Sequence, residues 1–221
     1  PIINKQRGKR LVLQDDIKEY IYNKKGLCAK SVVYEHFVNE LGYNKQTVDL
    51  VFKSKDVILY SSEYVVHSDV LEWNFEKQTM LEDIAQKEHS ESIKSGKHYF
   101  LAKNITEHYY HDLPQINANI SWIDSLIASL LTREGNFLEI KYTCNLLVPK
   151  DNSNGITSFG DLVYFILKNT SSSAEKLRNI NEYLFDLGIL VRNKKITQSM
   201  LGGSKAKVLV INNNIVLKEL T

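Results

Sequence analysis

The sequence predicts a mainly α-helical protein with short β-hairpins, an α+β fold arranged as three similar segments. The chain has 221 residues, more than one small domain needs. Turn-rich breaks near residues 73–77 and 149–155 divide it into segments 1–75, 76–151 and 152–221. Each segment passes from apolar residues at helical spacing to two short β-rich runs, and this shared order favours a tandem repeat.

The first segment, residues 1–75, predicts three helices and a hairpin. Apolar residues recur at helical spacing in each helix: Leu13, Ile17, Tyr20 and Ile21, then Val33, Phe37 and Leu41, then Val48, Val51 and Phe52. The second helix ends at Gly42, and Asn44 is placed to cap the third. Residues 57–60 and 64–67 flank a polar turn, so we expect a β-hairpin there.

The last segment, residues 152–221, repeats this order. Its first helix carries Leu162, Phe165 and Ile166, and its second carries Leu177, Ile180, Leu184 and Leu187. Residues 208–211 and 215–217 predict a hairpin around an asparagine-rich turn, because asparagine tolerates left-handed conformations. Two placements remain for the third helix. We prefer residues 193–201; the alternative places it within residues 175–187, with 189–192 as a short strand.

The middle segment, residues 76–151, departs most from the pattern. Its helical patterns contain Met80, Leu81 and Ile84, then Ile105 and Tyr109, then Ile120, Ile123, Ile127 and Leu130. Residues 137–142 and 144–148 predict a hairpin, but an insert at residues 90–100 lengthens the segment. Two interpretations therefore stay open: a third unit of the same kind, or a helical connector.

Three helices followed by a hairpin resemble the winged-helix superfamily, which contains a helix-turn-helix. The resemblance covers residues 11–71 and recurs in the last segment, and it is a likeness of architecture without a diagnostic residue string. It implies tandem winged-helix units that bind duplex DNA. In such units the third helix meets base edges in the major groove, while the hairpin, or wing, contacts phosphates.

The resemblance directs attention to the exposed faces of the third helices and to the wings. In the first segment the candidate DNA-binding residues are Lys45, Gln46 and Lys53, with Asp49 on the same face. In the last segment they are Arg192, Lys194, Lys195, Gln198, Lys205 and Lys207. The corresponding face of the middle segment carries Ser121, Asp124, Ser125 and Thr132, which makes it a poor phosphate binder.

Charge is distributed unevenly among the segments. Residues 1–75 carry 11 basic and 10 acidic side chains (net +1), residues 76–151 carry 8 and 11 (net −3), and residues 152–221 carry 9 and 5 (net +4). We therefore expect the last segment to make the strongest DNA contact. The overall charge of +2 is low for a DNA-binding protein, so an ordinary solvated face is the alternative interpretation of these lysines.

The sequence contains no motif for catalysis, a metal or a cofactor. It lacks a nucleophile elbow, a zinc-protease motif and a phosphate-binding glycine loop. Cys28 and Cys144 are isolated thiols, and His108 and His111 have no further metal ligand at an established spacing. We predict a protein without enzyme activity and without a cofactor.

The chain also lacks membrane and secretion signals. No apolar run is long enough to span a bilayer, and residues 1–10 are polar and basic. This predicts a cytoplasmic protein, associated with the nucleoid or, in a eukaryote, located in the nucleus. Lys5, Arg7, Lys9 and Arg10 form either a basic arm that reaches DNA or, as we prefer, a flexible chain end.

The predicted function is therefore binding of nucleic acid, with duplex DNA as the preferred partner. The alternative is a protein-interaction or scaffold module, in the form of a homodimer or a region of a larger multidomain protein. Aromatic residues in the middle segment bear on this choice, and they are Tyr99, Phe100, Tyr109, Tyr110 and Trp122. They form either an interface or, as we prefer, an ordinary core.

Overall fold

The computed structural model describes residues 2–170, 174–191, 194–203 and 206–218. Side chains are described from residue 13 onward within these ranges, apart from residues 174 and 175. Helix accounts for about 48% of the chain and strand for 14%, in small antiparallel sheets. The protein is α+β, as the sequence predicts.

The helices are dispersed along the whole chain. Their bounds are α1 Ile2–Asn23, α2 Lys30–Tyr34, α3 Lys45–Val51, α4 Ser68–Leu71, α5 Phe75–Lys94, α6 Ala102–His108, α7 Asp124–Arg133, α8 Phe159–Asn169 and α9 Leu177–Asp186. A π-helical stretch, Glu35–Glu40, continues α2, and a 3-10 turn, Tyr110–Asp112, follows α6. The strands are β1 Cys28–Ala29, β2 Val57–Leu59, β3 Tyr64–His67, β4 Phe100–Leu101, β5 Phe137–Glu139, β6 Leu146–Pro149, β7 Ala174–Lys176, β8 Val208–Ile211 and β9 Asn214–Leu217.

The described strands form three antiparallel sheets with the same topology. Their orders are β1-β3-β2, β4-β6-β5 and β7-β9-β8, so in each sheet the central strand is the one that comes last in the sequence. The three predicted hairpins are confirmed, with cross-strand partners Ile58 and Val66, Leu138 and Val148, and Val210 and Ile215. The sequence did not reveal the outer strands β1, β4 and β7, which contain only two or three residues each.

The chain folds into two compact units. The first unit contains Pro1–Ile84 and Tyr109–Leu130, and the second contains Ala85–His108 and Leu131–Thr221. Each unit has apolar residues with almost no exposure, such as Ile17 and Val48 in the first and Leu162 and Val208 in the second. The division into three segments that the sequence predicts is a different partition, and it stays a prediction.

In the first unit, local sequence signals position the helices as expected. Gly42 adopts a φ of 71°, a left-handed conformation that favours glycine, where the chain leaves the π-helical stretch. The side chain of Asn44 accepts a hydrogen bond from the backbone N–H of Gln46 and so caps α3. Val48, Val51 and Phe52 are buried beneath that helix, as predicted.

The start of the chain differs from the prediction. The backbone of residues 5–10, interpreted as a basic arm or a flexible end, belongs to α1. No proline interrupts this stretch, and lysine, arginine and glutamine have good helix propensity, so the helix that carries Leu13 and Ile17 extends backward. The side chains of Lys5, Arg7, Lys9 and Arg10 lie outside the described residues.

The first unit also ties α7 to the hairpin β2–β3. The Tyr60 hydroxyl donates a hydrogen bond to the carbonyl oxygen of Ser121 at 3.2 Å, and the Ser125 hydroxyl donates to the carbonyl oxygen of Tyr60 at 2.7 Å. Trp122 packs edge-on against Trp73, with ring centroids 5.9 Å apart. The face of α7 that includes Ser125, predicted to be exposed, therefore contacts the hairpin. The helix begins at Asp124, so Ile120 precedes it.

In the second unit, the preferred placement of the third helix, residues 193–201, is not found, whereas the alternative range 175–187 contains one helix, α9. Within the described part of 193–201, residues 194–197 are irregular and 198–200 form turns, and residues 189–191 form no strand. Leu201 lies directly on α8, because a Cβ at Gly160 would sit only 2.9 Å from the Leu201 carbonyl carbon. Gly202 and Gly203, with φ of 104° and 60°, turn the chain away. This packing could not be seen from helical spacing.

Candidate nucleic-acid interface

The exposed face of α3 in the first unit carries the residues predicted there. Lys45 and Gln46 in α3, and Lys53 two residues after its end, are all exposed, because the opposite side of this short helix faces the core. Leu50 is also 58% exposed on the same helix. The face is therefore accessible, and it is partly apolar.

A local hydrogen bond places negative charge on this face. The Tyr34 hydroxyl donates to Asp49 Oδ1, and Lys45 Nζ lies 5.0 Å from the centre of the Tyr34 ring. Burial, together with the hydrogen bond to Asp49, raises the pKa of Tyr34 to about 12, so its hydroxyl remains protonated. Asp49 thus reduces the positive potential that Lys45 and Lys53 create.

The second unit contains a concave site, which we name the C-terminal cleft. It is an open cavity of about 990 Å³ between α9, the residues Val191, Lys194 and Lys195, and the turn of the hairpin β8–β9. Its described lining residues are Lys176, Leu177, Arg178, Asn181, Glu182, Phe185, Val191, Lys194, Lys195, Asn212, Asn213 and Asn214. Two of the predicted DNA-binding residues, Lys194 and Lys195, meet here.

The described rim of the C-terminal cleft is mainly basic. Lys176, Arg178, Lys194 and Lys195 contribute positive charge, against a single described carboxylate, Glu182. Arg178 Nε donates to Glu182 Oε1 at 2.7 Å, one helical turn away. Both side chains are well exposed, so this ion pair contributes little to stability and can exchange for another anion.

Backbone and ring contacts orient one of these lysines. Lys194 Nζ donates to the carbonyl oxygen of Tyr142 at 3.0 Å and lies 5.5 Å from the centre of the Tyr142 ring. Neither contact neutralises the ammonium charge. The position of the Lys194 side chain is therefore set by the protein rather than by free rotation at the surface.

The cleft also contains apolar surface that solvent reaches. Phe185 is 40% exposed and Val191 is 63% exposed, and Leu177 lies beside them in the lining. Positive charge beside exposed apolar surface suits a ligand that has both an anionic part and a flat apolar part.

Two other predicted residues make contacts within the protein. The Gln198 amide donates to the carbonyl oxygens of Gly203 (3.1 Å) and Val208 (3.3 Å), and it accepts from the N–H of Val210 (2.8 Å). Lys207 Nζ lies 2.7 Å from Asp161 Oδ1. Gln198 thus joins the turn at residues 198–203 to β8, and Lys207 joins the start of β8 to α8. Both side chains therefore have partners within the protein. Arg192 and Lys205 lie outside the described residues.

The sequence prediction missed Lys176, Arg178 and Phe185. The first two flank the start of α9. The net charge of +4 in the last segment indicated basic residues there, but the prediction placed that charge on the third helix and the wing. Phe185 comes directly after the core residue Leu184 in α9, and it lies on a different, exposed face of the helix. Tertiary packing, rather than sequence proximity, brings these side chains to Lys194 and Lys195.

Histidines and cysteines do not assemble into a second site in the described parts of the chain. His108 Nδ1 lies 2.9 Å from the buried carboxylate of Glu88, and no group of three or more His, Cys, Asp or Glu is positioned there to hold a metal ion. Cys28 and Cys144 are free thiols, and burial raises the pKa of both. Tyr99 and Phe100 are buried, as the core interpretation predicted, whereas Tyr110 is 56% exposed and departs from it.

Comparisons of the chain with protein-family models, with curated proteins and with solved structures find no match. Among the helices in the described ranges, none combines the length and apolar character that a membrane crossing requires. The function is therefore argued from the geometry of α3 and the C-terminal cleft.

Proposed function

We propose that the chain is a non-enzymatic nucleic-acid-binding protein built from tandem winged-helix units. Support for the architecture comes from the three sheets, which share one strand order. In each, a helix follows the first strand and a hairpin supplies the other two, which is the succession of elements in a winged helix. Helices α1, α5 and α8 take the place of the first helix.

The observation that carries the function is the cluster of cations at the C-terminal cleft. Lys176, Arg178, Lys194 and Lys195 converge from two separate stretches of chain on one concave surface. Nucleic-acid affinity comes largely from lysines and arginines that replace the counterions of phosphates. Four such groups line the cleft in the described structure, and we assign the main phosphate contact to it.

The other two candidate surfaces have smaller roles in this proposal. On α3, Gln46 has the amide geometry to read adenine in duplex DNA, with Lys45 and Lys53 as phosphate partners weakened by Asp49. We assign no nucleic-acid contact to α7, because Ser125 and the backbone of Ser121 bind Tyr60 instead. In this proposal the middle segment supports the hairpin β2–β3 and does not contact nucleic acid.

The proposal is tested with the full chain and a double variant, Lys194→Ala with Lys195→Ala. Two lost phosphate contacts lower the slope of log affinity against log salt by about one to two units and weaken binding to every sequence. Fluorescence anisotropy with a labelled oligonucleotide at several salt concentrations measures both effects.

The matched control removes two lysines of the second unit that do not line the cleft, Lys168→Ala with Lys218→Ala. Both are exposed, so the net charge falls equally while the cleft keeps its cations. We expect a smaller loss of affinity and slope from this control. Equal losses in both double variants would show a diffuse charge effect and would reject the cleft as the contact.

A protein-interaction role is the second candidate, and one observation favours it. Leu50 is 58% exposed in the middle of the α3 face, where a DNA-reading helix normally presents polar groups. If the wild-type chain binds neither DNA nor RNA at low salt, this second function replaces the first. Sedimentation of wild type and of Leu50→Glu then tests whether the face joins two copies of the chain.

A further inference from the structure

We infer that the C-terminal cleft binds a single-stranded segment of nucleic acid, with an unpaired base stacked on Phe185 and its phosphates held by Lys194 and Lys195. This inference rests on the proposed function and names the form of nucleic acid that the cleft takes. It departs from duplex recognition, which the winged-helix resemblance implies.

The shape of the surface argues for a single strand. A helix that reads duplex DNA must protrude to enter the major groove. In the second unit, residues 198–200 instead form turns, and Ile196 and Leu201 are buried beneath this stretch. The amide of Gln198 is bound to backbone groups of the same unit. The described surface beside α9 is concave rather than protruding.

The chemistry of the cleft points to the same class of ligand. Phe185 exposes 40% of its surface among four basic residues, and Val191 and Leu177 extend the apolar area. Proteins that bind single strands combine a basic groove with aromatic rings on which bases stack. In a duplex the base faces are already stacked on one another, so a paired base has no face to offer Phe185.

The size of the cleft and the asparagines at its edge fit this ligand. A cavity of about 990 Å³ lies at the upper end of the range for small-molecule sites, roughly 300–1,000 Å³, so it accommodates a nucleotide without closure. Asn212 and Asn213 adopt φ of 49° and 59° in the hairpin turn, and their exposed amides are donors and acceptors for base edges.

The experiment compares three labelled probes against the full chain: a 15-nucleotide oligothymidylate, an oligouridylate of equal length and a blunt DNA hairpin whose two strands are joined by a polyethylene glycol linker, so that it has no unpaired base. We expect at least one single-stranded probe to bind. Replacing Phe185 by Leu should weaken that binding at least about fivefold, as loss of one stacked base does. Phe185→Tyr, which keeps a ring, should retain it, and the affinity of the blunt hairpin should change less than twofold.

Two further variants keep the test decisive if Phe185→Leu disturbs folding. Tyr183→Ala removes an aromatic side chain of similar exposure from α9 that does not line the cleft, and it should leave all three affinities unchanged. Val191→Asp adds a carboxylate at a position that is 63% exposed, so folding should persist while single-strand binding falls. Circular dichroism checks the fold of each variant.

The outcomes separate the inference from the proposed function. If the hairpin binds and neither single strand does, or if Phe185→Leu and Val191→Asp leave single-strand binding unchanged, the inference is wrong while nucleic-acid binding stands. If none of the three probes binds, the proposed function itself fails. Binding of oligouridylate alone identifies RNA as the ligand, and binding of oligothymidylate shows that the 2′-hydroxyl is not required.

Discussion

Helix α3 in the first unit and residues 194–203 in the second occupy the same place in the order of elements, but they present opposite surfaces. Each follows a helix and precedes a hairpin. Residues Lys45–Val51 form a helix with an exposed, partly apolar face, whereas residues 198–200 form turns, with Ile196 and Leu201 buried. The comparison teaches that a shared succession of elements fixes the sheet but leaves the surface before the hairpin free to be convex or concave.

Substitution of Gly160 tests the packing on which the comparison depends, and it should have the largest effect. In Gly160→Ala the new Cβ overlaps the Leu201 carbonyl group, so the turn or α8 must shift. We expect the free energy of unfolding to fall by about 1–3 kcal/mol, measured by urea denaturation. Lys168→Ala, at an exposed position of α8, is the control and should stay within about 0.5 kcal/mol. An unchanged stability in Gly160→Ala would show that Leu201 does not pack on α8.

The two glutamines at equivalent places sharpen the comparison. Gln198→Ala leaves several backbone groups without their partner and should cost about 1–3 kcal/mol of stability. Gln46→Ala, at an exposed site, should stay within about 0.5 kcal/mol and weaken only the binding of duplex DNA. Thermal unfolding and anisotropy on both variants give the two readouts. The reverse pattern, a stable Gln198→Ala and an unstable Gln46→Ala, would contradict the assignment of the two surfaces.

Lys207 provides the smallest effect and a test by pH. Burial alone would raise the pKa of Asp161, but hydrogen bonds from Lys207, Ser158 and Thr157 outweigh it and lower the pKa. The resulting stabilisation is present above the ordinary aspartate pKa, near 4, and is lost as the pH falls through the lowered value. Lys207→Ala should therefore be slightly less stable than wild type at pH 7, with a smaller difference at pH 3.

Urea denaturation at the two pH values measures this difference. Lys218→Ala is a suitable control, because Lys218 is exposed and lies in the same unit. A gap between wild type and Lys207→Ala that grows on acidification would exclude the ion pair with Asp161 as its source. A loss of nucleic-acid affinity in Lys207→Ala as large as that from Lys194 and Lys195 would move the main contact toward the hairpin.

Local signals in the sequence were sufficient for most of the helices and all three hairpins. Asn44, Gly42 and the asparagine-rich turn at 212–214 each determine backbone geometry within a few residues, and the structure has the expected cap and turns. The outer strands β1 and β4 were missed because two residues are too few for an alternating pattern, and their pairing depends on a distant partner.

The third helix of the last segment shows where local reasoning fails. Residues 193–201 have an acceptable helical composition, but the close approach of Leu201 to Gly160 is a contact between residues 41 positions apart. The same limit applied to the candidate site. Lys194 and Lys195 were identified from their charge. Phe185 and Arg178 belong to the cleft only because α9, the helix that carries them, packs beside Lys194 and Lys195.

The reciprocal hydrogen bonds of Tyr60 have a consequence for how the protein can be divided experimentally. The stretch 109–130 completes the first unit: Asn117 binds the carbonyl oxygen of Val70, and Trp122 packs on Trp73. A fragment that stops after residue 75 would keep α3 but expose these partners to water, and no continuous fragment contains the first unit without part of the second. Isolation of α3 in its native setting therefore requires a spliced gene, in which a linker replaces residues 85–108, rather than a simple truncation.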